Sequence, residues 1–151
     1  MNIYISTMLM AMVPVIELRG AIPFGVAAGI PVKQAMICAI IGNLIPIPFI
    51  LIFLRKVFLW MRQISPGFEN LVERLESRAK RKKGIVDKYE IIGLIILVAI
   101  PLPGTGAWTG ALVATVLDIR IRRSLPAITV GVILAGTLVS VVTYGGFAVF
   151  G

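Results

Sequence analysis

Apolar residues fall in six blocks along the chain: Ile3–Val13, Ala21–Ile30, Ala35–Leu54, Ile91–Ile100, Ala107–Leu117 and Leu125–Phe150. A helix rises about 1.5 Å per residue, so crossing about 30 Å of hydrocarbon takes about 20 apolar residues. Ala35–Leu54 and Leu125–Phe150 meet that length. The other four blocks, at about 10 or 11 residues, reach about half way. They come in two pairs. PVIELRG interrupts the first pair and PLPGTG the second. Short apolar arms joined by a Pro/Gly break predict a re-entrant hairpin, with its irregular backbone buried in protein or lining a wet cavity.

The alternative joins each pair into one continuous helix and gives four ordinary spans. The distribution of charge separates the two patterns. Ten of the fifteen Lys and Arg residues lie between Arg55 and Lys88, and three more are Arg120, Arg122 and Arg123. Four spans put these two basic segments on opposite sides of the membrane. Two hairpins and two spans put both on one side, the cytoplasmic side by the positive-inside rule. The expected architecture is therefore an all-α integral membrane protein built as two inverted repeats. Each repeat is a re-entrant helical hairpin followed by a transmembrane helix. Repeat one covers residues 1–56, a cytoplasmic connector 57–88, and repeat two 89–151 of a single membrane domain. A faint alignment sets Gly20-Ala21 against Gly106-Ala107, and Ala28 against Ala114. Inverted repeats with interrupted helices are a recurring plan of transporters, with the site at the midplane.

Within the connector, Ser65–Lys83 reads as one amphipathic helix. Ser65 is a candidate N-cap and Pro66 suits the first helical position. Phe68, Leu71, Val72, Leu75 and Ala79 recur at helical spacing. Acids precede bases along it, as the helix dipole favours. The helix either packs on its own protein or lies on anionic lipid. In the second case Arg78–Lys83 and Arg120–Arg123 meet anionic headgroups.

Composition supports this class. The chain has 151 residues, 58% of them hydrophobic, against about 45–50% in a soluble domain. There is no histidine, and Cys38 is the sole cysteine. A disulfide framework and a Cys/His metal site within one chain are excluded on that count. No nucleophile–base or metal-ligand set stands out, so neither enzyme, cofactor nor metal is expected. Nucleic acid is not an expected partner either, since loops of membrane proteins carry such basic excess for topological reasons. The N-terminus lacks a basic n-region and a small-x-small cleavage site, so a removed signal peptide is not expected.

The candidate chemistry lies at the two breaks. Glu17 and Arg19 are charges inside a stretch that otherwise reads as membrane-buried. Such charges persist when paired or facing a polar cavity, and they mark functional sites by default. They are two residues apart, so they share no helix face; each can meet the other in irregular backbone or pair with the opposite repeat. Gly20 and Pro23 set the local backbone. The second break offers Gly104, Thr105, Gly106, Trp108 and Thr109 and no charge. The return arms, starting near Ala21 and Ala107, bring helix N-termini to the midplane, where free N–H groups favour an anion. A structural role is the alternative at each break: an ion pair holding the first hairpin, close packing by the glycines of the second. Asn43, with Pro46 and Pro48, interrupts the first span and either lines the path or holds helices together. Ala127, Gly131 and Ala135 form a small stripe suited to a close helix contact within the chain or across a dimer. A homodimer is the expected assembly.

PVIELRGAIPFGVAAG and PLPGTGAWTG, in this order, resemble the small multi-drug export protein family over nearly the whole chain. That family is similar at a distance to the DedA (SNARE-associated, VTT) superfamily of paired re-entrant hairpins. The family resemblance implies export. The DedA resemblance implies ion-driven flipping of lipid phosphates such as undecaprenyl phosphate. It matches Glu17 and Arg19 to the charged pair of the first hairpin, and Gly104 to Trp108 to the second. Where DedA proteins usually carry a further acid and arginine, this chain has Thr and Gly. The expectation is an ion-coupled flippase or exporter of a lipid phosphate or other anionic amphiphile, multi-pass in a prokaryotic cytoplasmic (inner) membrane. A proton-coupled exporter of lipophilic cations, or an uncoupled scramblase or structural membrane protein, are the alternatives.

Overall fold

The computed structural model describes residues 2–81 and 83–150; within that range the side chains at 75, 76, 78–81, 83–87, 147 and 150 lie outside the description. The side chains of the Arg78–Lys83 segment therefore fall outside the described residues, as does Lys82 altogether. Eight helices and no strand occur among the described residues.

Two short helices open the chain, α1 (Ile3–Met12) and α2 (Glu17–Ala27), packed on each other and on α3 (Val32–Leu44). The apolar run Ala35–Leu54 is not one rod. Ile45 and Pro46 separate α3 from α4 (Ile47–Ile64), because Pro46 and Pro48 lack the N–H groups that would continue the ladder. Helix α4 runs past the apolar block and ends at Ser65, which is extended (φ −114°, ψ 107°). Ser65 thus closes one helix as its carbonyl accepts from Glu69 N–H in the next, at 3.1 Å. That next helix is α5 (Pro66–Arg81). Its predicted apolar face is used in part: Phe68 packs edge-on against Phe58 of α4, ring centres 5.1 Å apart. Val72 is buried, but Leu71 is exposed. Helix α6 (Lys83–Ala99) starts eight residues before the apolar block that marked it. At 17 residues it is about 25 Å long, well beyond a half-span. Helices α7 (Ala107–Val116) and α8 (Ile121–Phe150) complete the chain.

The turns leaving α2 and α7 are the same structure. Gly29 (φ 96°) and Asp118 (φ 53°) take the left-handed position after each helix. Ile30 N–H bonds Gly25 carbonyl and Ile119 N–H bonds Ala114 carbonyl, each at 2.9 Å, the Schellman pattern. Ile30 and Ile119 are both buried. Next, Gln34 and Ala35 bond back to Pro31, as Arg123 and Ser124 do to Arg120. The correspondence then reaches the packing. A Cβ on Gly42 of α3 would collide with Met8 of α1, and one on Gly131 of α8 with Val98 and the Ile95 carbonyl of α6. The turn residues, and Gly42 with Gly131, keep one constant separation along the chain, which sets Gly25 against Ala114. The sequence alignment of Ala28 with Ala114 is therefore three residues out of register. Gly131 serves this α6–α8 contact within the chain, and Ala127 and Ala135 are buried in the core.

Two helices, Val32–Ile64 taken through its break and Ile121–Gly146, are long and apolar enough to cross a membrane. Only 28% and 44% of their most apolar windows are buried, whereas a core helix of a soluble protein would be mostly covered. Phe49, Phe53, Trp60, Val141 and Val142 all face outward. That much exposed apolar surface suits a hydrocarbon surround.

Candidate functional site

The two breaks meet. Glu17 opens α2 with φ 47°, an unusual backbone for a residue with a side chain. Its N–H bonds Val13 carbonyl at 2.8 Å across the turn. The side chain is 4% exposed and lies against the start of α7. There Trp108 N–H donates to its Oε1 at 3.3 Å. Gly106 is the N-cap residue of α7, at φ 121° and ψ −170° with no capping side chain of its own. That backbone region is essentially reserved for glycine. A Cβ there would overlap the Glu17 carboxylate. A carboxylate from one break thus caps the helix of the other, where N–H groups and partial positive charge favour an anion.

Arg19 reaches the other strand of the same break. Its guanidinium bonds the carbonyl of Leu102, the Thr105 hydroxyl at 2.6 Å and, at 3.5 Å, the carbonyl of Ile100. These oxygens stand just beyond the C-terminus of α6, where partial negative charge favours a cation. Thr105 Oγ1 also lies 2.7 Å from both carbonyls and accepts Leu102 N–H at 3.2 Å. One acid and one base therefore satisfy the two opposite helix ends of the second break.

The remaining sequence candidates divide. Gly20 leaves room for the Ile16 side chain, which a Cβ would meet at 2.6 Å. Pro23 lies inside α2 and so leaves the Arg19 carbonyl without its intrahelical donor. Gly104 is left-handed (φ 81°) with open space around it, and its carbonyl accepts from Thr109 Oγ1 at 3.0 Å. Asn43 is 1% exposed and neither polar atom of its amide has a partner; no hydrogen bond joins it to the breaks. The expectation that α2 begins near Ala21 is corrected: it begins at Glu17, which places both charges in its first turn.

Two features escaped the sequence. Asp118 faces Arg55 of α4 at 3.7 Å, and Arg55 also bonds the Ile119 carbonyl. An apolar cleft of about 710 Å³ runs beside the second break, lined among others by Met12, Pro46, Phe53, Trp108 and Leu112. No periodicity within one segment signals a cleft formed by three.

Residues 17–138 match the family described as putative small multi-drug export protein. The chain belongs to that family. The matched stretch starts at Glu17, within the first break, and contains the whole of the second break and of the connector. Membership and the two long apolar helices fit a membrane protein that acts in transport or export. No curated protein and no solved structure matches this member of the export family significantly.

Proposed function

We propose that this family member is an ion-coupled transporter that moves an anionic amphiphile, such as a lipid phosphate, by exchanging it for Glu17 at the head of α7. The observation that carries the reading is the Glu17 carboxylate lodged in the space that Gly106 leaves open. An acid held at a helix N-terminus stands where a phosphate or carboxylate headgroup would bind. Protonation removes its charge and weakens that hold, and an incoming anion takes the vacated N–H groups. Arg19, an arm's length away on the same turn, balances the charge that enters.

In this reading α1–α2 and α6–α7 are re-entrant hairpins, and each leads into a span of inverted sense. The identical helix exits at Gly29 and Asp118 and the matched close contacts at Gly42 and Gly131 support it. Hairpins would also put both basic segments on one side, the arrangement that the positive-inside rule prefers. The DedA-like plan, lipid contact by the basic segments and assembly as a homodimer complete the proposal.

The test is flux of a fluorescent lipid phosphate in proteoliposomes, with and without an imposed proton gradient. Wild type should respond to the gradient. Glu17→Gln, permanently uncharged, should lose that response, and Arg19→Ala should lose flux. Normal gradient-driven flux in both variants overturns the proposal. Flux indifferent to the gradient in wild type points to an uncoupled scramblase, and competition by quaternary ammonium ions alone points to cation export.

A further inference from the structure

Trp108 belongs to two surroundings at once. Its backbone N–H is the group that holds Glu17, and the residue is part of the wall of the 710 Å³ cleft. The cleft runs from Met12 at the end of α1, past the Ile45–Pro46 break, along Phe49 and Phe53 of α4, to Thr109 and Leu112 of α7. Its size lies within the range of ligand pockets, about 300–1,000 Å³. The lining is apolar apart from Thr109 and the Trp108 indole. Phe49 and Phe53, which form one side, are exposed on a helix apolar enough to span a membrane. The cleft therefore opens to hydrocarbon.

An apolar wall alone gives a hydrocarbon chain no advantage over the bilayer, because lipid tails are as apolar as leucine. Selection has to come from a polar group at the edge of the cleft. Trp108 supplies one: its Nε1 is buried and has no acceptor. A buried donor without an acceptor costs free energy, so a conformation that pairs it is favoured once an acceptor arrives. The N–H is covered in this structure, so pairing it with a ligand takes a turn of the ring.

We propose that the cleft seats the hydrocarbon limb of a single-chain anionic amphiphile, its headgroup at the first turn of α7 and its acceptor oxygen on the Trp108 indole. This rests on the exchange at Glu17 proposed above and assigns the second half of the cargo. The occupant carries an acceptor because the unpaired group is a donor. The headgroup is anionic because the adjoining helix N-terminus already holds a carboxylate. Tail and headgroup would then act on one residue: the tail on the Trp108 ring, the headgroup on the N–H that Glu17 now occupies.

The indole N–H resonance of Trp108 tests this directly. The chain has two tryptophans, so a Trp60→Phe variant leaves one indole signal, observed in ¹⁵N-labelled protein in maltoside micelles. Titration with dodecyl phosphate should move that signal saturably. Dodecane, which lacks the acceptor, and dodecyltrimethylammonium, which lacks the negative charge, should not. Leu112→Phe, which narrows the cleft, should weaken the apparent affinity about tenfold. Leu138→Phe, on the exposed apolar face of α8, should leave it unchanged. No saturable shift, an equal shift with dodecyltrimethylammonium, or equal affinities in the two Phe variants overturns the assignment. If the shift persists as predicted while Glu17→Gln still transports with full gradient dependence, the cleft stands and the Glu17 exchange falls.

Discussion

The Glu17 carboxylate fills the space that a Cβ on Gly106 would need. The acid can cap α7 only because the residue opposite it has no side chain. Gly106→Ala therefore adds two costs. One is an alanine in a backbone region that favours glycine, about 1–3 kcal/mol; the other is eviction of the carboxylate. Combining it with Glu17→Ala removes the second cost and leaves the first. The double variant should unfold less easily than additivity predicts, with a coupling of about 0.5–3 kcal/mol. Thermal unfolding of the four proteins in detergent measures it, and strict additivity would show that the two residues do not share this space.

Gly42 and Gly131 make equivalent close approaches with unequal obstacles. A methyl at Gly42 meets the Met8 main chain, which cannot move without α1. A methyl at Gly131 meets chiefly the Val98 side chain, at 2.6–2.8 Å, with the Ile95 carbonyl at 3.0 Å. Overpacking costs about 1–3 kcal/mol. Gly42→Ala should fall at or above the top of that range and Gly131→Ala lower. Equal melting temperatures would contradict the ranking.

Asp118 holds a left-handed backbone and a half-exposed ion pair, its side chain 63% accessible and that of Arg55 31%. Such a pair contributes about 0–1 kcal/mol. Asp118→Gly loses the pair but relaxes the backbone and should be neutral within about 1 kcal/mol. Asp118→Val loses both advantages and should be clearly worse, by about 1–3 kcal/mol. If Gly and Val prove equal, the backbone is not the deciding factor at this turn.

Topology can be read with single cysteines, since Cys38 is the chain's only one. In a Cys38→Ala background, Lys56→Cys and Arg122→Cys should both label from the cytoplasmic face with a membrane-impermeant maleimide. Labelling from opposite faces would restore the four-span arrangement and remove the hairpins from the proposal.

The residues of the candidate site were legible before the fold, but their connections were not. Glu17 and Arg19 stood out because charge in an apolar run is costly, and Gly104–Trp108 because glycine and proline break helices. That the acid meets α7 and the base meets the end of α6 depends on contacts across more than eighty residues, which local periodicity does not encode. The sequence alignment of the two halves is three residues away from the register in which their helix exits correspond. The markers of that register, Gly29 against Asp118 and Gly25 against Ala114, share a backbone conformation rather than a residue type. Helix α6 was placed too short because Lys83 to Glu90 is polar yet still helical.

By itself the sequence determined an all-helical chain with segments apolar enough to suit a membrane. Block lengths, the placement of basic residues and the Pro/Gly breaks are local quantities, and the physics of hydrocarbon acts on them segment by segment. Tertiary structure alone decided what the charges do, that Gly131 closes an internal contact, and that Trp108 joins a cleft to a capped helix end. The reason is common to all three. A cap, a close approach and a cleft each need two surfaces, and which surfaces meet is settled by packing.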